Sequence, residues 1–235
     1  MSEALPPVET AAPGVRQPPH LLWAIGCGAV AIALALAVGF AVDRWPFAFD
    51  RAVLLSLRTP GDLARPIGPE WLRFAVIDLT ALGGATVLTC VVLVTLGLLL
   101  VRRLWLTAGL VLAATWSGSL LAAQAKLLFA RPRPALVDHL VEVRGLSFPS
   151  GHATNSAIIY LTLALLVSQV TRGAATRRYG LGVAVLLVGA IGCSRVYLGV
   201  HWPSDVLAGW AIGTCWALAW WFVGRWVRAR AAAKA

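Results

Sequence analysis

The chain has 235 residues, 59% of them hydrophobic, and a mean hydropathy of +0.79. An ordinary soluble domain is only about half apolar, so these values exclude a soluble globular protein and indicate a polytopic membrane protein. A net charge of +10 would suit nucleic acid in a soluble chain, but in a membrane chain basic residues mostly report topology, and no nucleic-acid partner is expected.

Residues 1–20 hold five prolines, two glutamates and one arginine, and read as a disordered cytoplasmic tail. The apolar run Leu21 to Val42 that follows is longer than a secretory h-region and has no strongly basic segment before it, so it reads as a retained anchor. Further runs at 75–101, 104–125, 150–170, 179–194 and 204–223 bring the expectation to six transmembrane helices. The fifth is short unless Arg195 to Leu198 prolong it. Only Arg102 and Arg103 separate the second and third, which therefore form a tight hairpin.

Trp23, Trp45, Trp71, Trp105 and Trp226 fall near the predicted ends, as interfacial aromatics should. Ser117-Gly118-Ser119 suits close helix packing. Cys27, Cys90, Cys193 and Cys215 lie in apolar runs without paired spacing and read as packing residues. Segment 43–74 carries Arg44, Arg51, Arg58 and Arg65 seven residues apart. It reads either as a surface helix with Val53, Leu54 and Leu57 toward lipid, or as a solvated loop. The fold expected is all-α: a six-helix membrane domain over 21–224, then a basic cytoplasmic tail over 225–235.

The N-terminal tail, the 102–103 turn, the 171–178 loop and the C-terminal tail carry ten positive charges against Glu3 and Glu9. That bias puts both termini in the cytoplasm. Parity then brings 126–149, the start of the fourth span and 195–203 together on the outer face.

Three stretches meet there. Lys126 ends a span, and Arg131 and Arg133 follow, each beside a proline with fixed φ. These are either anchoring cations that snorkel to the interface, or ligands for an oxyanion such as phosphate. In Pro149-Ser150-Gly151-His152, Ser150 is a suitable N-cap, and a helix N-terminus favours an anion. In Ser194 to Asp205, Arg195 closes the fifth span, and His201 and Asp205 are four apart at the entry to the sixth. A carboxylate there fixes the imidazole tautomer and leaves the other ring nitrogen free to attack. His152 has no such partner nearby in sequence. The set suits phosphoryl transfer through a phosphohistidine, with one histidine attacking and the other protonating the leaving oxygen. No metal is expected, because the cluster lacks a third and fourth ligand. His139 reads as a surface or rim residue.

Lys126 with Arg133-Pro134, Pro149 to His152, and Ser194-Arg195 with His201 and Asp205 together resemble the tripartite motif of the type 2 phosphatidic-acid phosphatase superfamily. Order and internal spacing agree throughout. The resemblance implies that His201 is the nucleophile, Asp205 its orienting partner and His152 the general acid. It implies that Lys126, Arg133, Ser150, Gly151, Ser194 and Arg195 hold phosphate, and that no metal or other cofactor is used. Arg131 falls in the variable stretch of the first motif.

The partner implied is a lipid phosphate drawn from the bilayer. The narrow expectation is a polyprenyl (undecaprenyl) diphosphate, with phosphatidic acid or phosphatidylglycerophosphate next. The site would face outward from a plasma (inner) membrane. A non-catalytic lipid or anion transporter is the rival from another class; it explains six spans and cations but not paired histidines with an aspartate. The sequence carries no signal for oligomeric state.

Overall fold

The computed structural model describes residues 20–42 and 47–233. The expected tail (apart from His20), Arg44, Trp45 and Lys234 lie outside them. Among the described residues five helices are long and apolar enough to span a membrane, or six spans when one bent pair is counted as a single span.

Helix α1 (His20–Val42) is apolar on all sides and lies along the last helix, α9 (Pro203–Ala232). At one end of that contact, Trp23 and His20 stack on Phe222. The segment expected to be a surface helix or a loop is neither along its whole length. It forms α2 (Ala48–Ser56), a small antiparallel hairpin of β1 (Arg58–Thr59) and β2 (Asp62–Pro66) turning at Gly61, and the start of α3 (Glu70–Ala81). Leu54 does not face lipid: it is fully buried against Val137, Trp202 and Val206. Nor do the three described arginines behave alike. Arg51 and Arg65 are exposed, whereas Arg58 is buried and donates to the carbonyl of Tyr197 at 3.0 Å.

The expected span 75–101 is broken. α3 ends in a tight turn at Leu82-Gly83-Gly84, and α4 (Ala85–Val101) leaves it at a 50° bend. Three successive i to i−3 hydrogen bonds, from Leu82, Gly83 and Gly84, close the turn. Glycine is required at 83 because a Cβ there would sit 2.4 Å from Ile191 Cγ2 and 3.2 Å from His152 Cδ2. The bend therefore lays backbone directly against a candidate site histidine.

Arg103, at φ 57, closes the predicted hairpin between α4 and α5 (Trp105–Leu128). After the 129–150 loop, the fourth span is α6 (Gly151–Ser156), a π-helical turn (Ala157–Leu161) and α7 (Thr162–Ser168). Within the π turn, Tyr160 donates its hydroxyl to the Leu82 carbonyl at 2.8 Å, which ties this span to the α3–α4 bend. Helix α8 (Ala174–Tyr197) is longer than expected at both ends. α9 continues as helix through Ala232, well into the expected tail.

Close packing rather than water exclusion holds such helices together in lipid, and small residues make it possible. A Cβ on Gly213 of α9 would lie 2.5 Å from Ala157 Cβ and 2.9 Å from the Thr154 carbonyl. Gly118 of α5 similarly abuts Ile158 and Trp216, as the Ser-Gly-Ser run predicts. Arg228 joins Gln169 and Thr107 at the end of the bundle where α7 and α9 finish and α5 starts. The last turns of α5 and α8 and the first turns of α6 and α9 meet at the other end. All four cysteines are free thiols.

Candidate active site

His201 sits in the short α8–α9 connection, reached through Gly199 at φ 76, and only 2% of it is exposed. Its Nε2 lies 3.1 Å from Arg133 Nη1. A guanidinium can only donate, so Nε2 is the acceptor nitrogen and keeps its lone pair while the ring proton resides on Nδ1. Nδ1 faces Asp205 Oδ2 at 3.4 Å and Ser147 Oγ at 3.4 Å. The expected tautomer thus has a second, independent cause in Arg133.

Asp205 is held on both oxygens. Oδ2 accepts from the Trp202 backbone N–H at 2.9 Å, capping α9, and from the Ser147 hydroxyl. Oδ1 accepts from Arg131 Nη1. Burial is the chief influence on the His201 ring, pulling it below the ordinary imidazole value to about 4, and the contact with Asp205 opposes this only in part. The ring is therefore neutral at neutral pH, as a nucleophile must be. In folded protein carrying ¹⁵N-histidine, the His201 nitrogens should hold neutral-form shifts, with Nδ1 protonated, from about pH 8 to about pH 5. A midpoint near the ordinary value of about 6.5 would contradict this.

Arg133 is fixed by three carbonyls: Val200 at 2.8 Å, Gly145 at 3.0 Å and Arg144 at 3.1 Å. The PSGH turn is pinned to α9 by the Ser150 N–H donating to the Asp205 carbonyl at 3.2 Å. Ser150 Oγ and Arg195 Nε are buried without a partner among the described residues, although Arg195 Nη1 donates to Thr80 Oγ1 at 3.0 Å. Orphaned donors of this kind suit an anion that accepts from them. Lys126 Nζ lies 3.9 Å from where a Cβ on Gly151 would stand, so glycine keeps that approach open. His152 packs against the α3–α4 bend, its Cδ2 3.2 Å from where a Cβ on Gly83 would stand.

Eight of the nine sequence-derived site residues face this pocket; Ser194 differs. Its hydroxyl donates to Ile191 O at 2.6 Å, and the residue also lines an apolar cavity of about 580 Å³ bounded by α2, α3, α8 and α9. His139 is exposed and bonds the Pro134 carbonyl at 2.8 Å, in keeping with a rim position.

Sequence reasoning missed Asp50, Ser147 and Gly83, and left Arg131 without a role. Arg131 proves to be 2% exposed and bonded to two buried carboxylates, Asp205 and Asp50. A lone acid inside the aromatic stretch Phe47-Ala48-Phe49-Asp50 was the available signal for Asp50.

A family model for the PAP2 superfamily matches residues 102–229, which takes in all three motif stretches. The chain belongs to the PAP2 superfamily. Phosphatidylglycerophosphatase B of Bacillus subtilis is 32% identical over 149 residues, 63% of this chain and 72% of that protein. A decaprenylphosphoryl-5-phosphoribose phosphatase of Mycobacterium tuberculosis is 38% identical over 115 residues, 48% of this chain and 56% of its own length. The crystal structure of a transmembrane PAP2 type phosphatidylglycerolphosphate phosphatase from Bacillus subtilis has a TM-score of 0.66 at 26% identity, covering 88% of this chain and 96% of that one. The protein is therefore a multi-pass membrane phosphatase of the lipid-phosphatase kind.

Proposed function

We propose that this PAP2 phosphatase removes the terminal phosphate of a membrane lipid by double displacement through His201. The observation that carries the reading is the two-sided hold on His201, with Asp205 and Ser147 at Nδ1 and Arg133 at Nε2.

In the first step the Nε2 lone pair attacks phosphorus, and the bond from phosphorus to the lipid oxygen breaks. His152 gives that oxygen its proton, and the imidazolium formed on His201 is balanced by Asp205. In the second step His152 takes a proton from water, the water oxygen attacks phosphorus, and the phosphorus–Nε2 bond breaks to release inorganic phosphate. Lys126, Arg133, Arg195 and the Ser150 and Gly151 turn balance charge on the phosphoryl oxygens, the task a metal performs elsewhere. Loss of one such donor costs about 10²–10³ in turnover.

Phosphatidylglycerophosphate leads the candidate substrates, because the relative aligned over the larger share of its own length and the similar crystal structure both act on it. A polyprenyl diphosphate, the narrower expectation from sequence, stands second. It is supported by a mycobacterial relative whose substrate carries a decaprenyl chain. The cation-rich end around Arg228 lies opposite the site, which favours cytoplasmic termini and a site facing outward from the plasma membrane.

Purified protein in detergent with EDTA, assayed on phosphatidylglycerophosphate, phosphatidic acid and undecaprenyl diphosphate, should release phosphate at the rate seen without chelator. His152→Ala should lower turnover by about 10²–10⁴. Activity abolished by EDTA and restored by a divalent cation would contradict the metal-free reading.

A further inference from the structure

The His201–Asp205 pair does not stand alone. Behind it lies a buried ionic group on three separate chain segments: Asp50 on α2 (0% exposed), Arg131 after α5 (2%) and Asp205 on α9 (0%). Arg131 spans the two acids, with Nη2 2.9 Å from Asp50 Oδ2 and Nη1 on Asp205 Oδ1. Ser204 completes the ring. Its hydroxyl accepts from Arg131 Nη1 at 2.8 Å and donates to Asp50 Oδ2 at 2.7 Å, while its N–H donates to Asp50 Oδ1 at 2.8 Å. With the Phe47 N–H at 3.3 Å, Asp50 accepts from four donors, two of them on Ser204 in the first turn of α9, where an anion is favoured.

We propose that Asp50 is a positioning residue for the catalytic pair, acting through Arg131 to keep the negative charge of Asp205 effective at His201. Two carboxylates and one guanidinium sum to one negative charge, which opposes the imidazolium formed when Nε2 bonds to phosphorus. Asp205 Oδ2, which faces His201, is aimed by the Trp202 N–H and the Ser147 hydroxyl, whereas Arg131 on Oδ1 would alone cancel the charge of Asp205. Asp50 occupies the other half of its fork and restores the balance. The low polarizability of such a site makes that balance count for more than it would in water. The inference rests on the phosphohistidine reading above.

A simple staple between α2 and α9 would use the same contacts, so the test must separate charge from anchoring. Asp50→Asn, Arg131→Met and the double variant are purified in detergent, their folded fractions are measured by size-exclusion and circular dichroism, and kcat and KM are determined on the same three lipids. Asp50→Asn should lower kcat per folded molecule about ten- to a hundredfold, the range usual for residues that orient a reacting group's partner, with KM changed by less than about twofold. Asp50→Asn/Arg131→Met removes one charge of each sign and leaves Asp205 facing His201, so its kcat should exceed that of Asp50→Asn by several-fold. A wild-type kcat in folded Asp50→Asn overturns the proposal. So does a double variant no faster than the single, which is the result for a staple cut at both ends. Wild-type protein inactive on every lipid overturns both the proposal and the reading on which it rests, whereas an active wild type with an unaffected Asp50→Asn overturns the proposal alone.

Discussion

His201→Ala is expected to lose lipid phosphatase turnover by about 10⁴ or more while remaining folded, the scale seen when a covalent nucleophile is deleted. The ring has the only lone-pair nitrogen in the described pocket that is backed by a carboxylate through its opposite nitrogen. In the proposed mechanism its replacement removes the attacking atom and leaves the proposed phosphate-binding cations in place. KM should therefore change little in any residual activity, and inorganic phosphate should still compete. Size-exclusion elution and helical content should match the parent, because His201 makes only two side-chain contacts with other side chains through its nitrogens besides Asp205, and alanine leaves Asp205 bonded to Arg131, Ser147 and the Trp202 N–H. Turnover within tenfold of wild type would remove His201 from the chemistry.

Arg131→Ala should act mainly on stability. Deleting one partner of a buried ionic group strands the others, which costs about 3–5 kcal/mol. Here two carboxylates, both 0% exposed, would be left facing each other across the space the guanidinium filled. The Trp202 ring, with the Arg131 guanidinium 5.4 Å from its centroid, would lose that partner too. Thermal unfolding in detergent should show a large fall in Tm. Arg131→Lys should recover only part of it, since an ammonium cannot span Asp50 and Asp205 as a planar fork does. An Arg131→Ala protein as stable as wild type would contradict the buried ionic group on which the Asp50 proposal rests.

These two residues mark what the sequence made legible. Hydropathy located the spans, since lipid demands long apolar runs whatever the packing. It passed through Leu82-Gly83-Gly84 without a break, because a hydropathy scale registers side chains and not backbone direction. The π turn at Ala157–Leu161 lies where Gly213 of α9 packs on Ala157 and Tyr160 reaches the Leu82 carbonyl, contacts distant in sequence. The three motif stretches were readable because each is local and topology brings their ends to one face. Asp50 and Arg131 are 81 positions apart, and neither local pattern nor charge spacing joins them. The seven-residue arginine spacing that did attract notice was uninformative: Arg58 is drawn inward by the Tyr197 carbonyl while Arg51 remains exposed. At the motif position Ser194 the hydroxyl donates to the Ile191 carbonyl of its own helix, a local bond that the motif spacing does not reveal.

The most direct test of the central claim is a rapid-quench experiment on wild-type protein with a ³²P-labelled substrate lipid in the presence of EDTA. A phosphoryl group should appear within the first turnover on the peptide containing His201, stable in alkali and lost in acid, and it should be absent from His201→Ala. No labelled peptide during turnover, or label on any other residue, would contradict attack by His201.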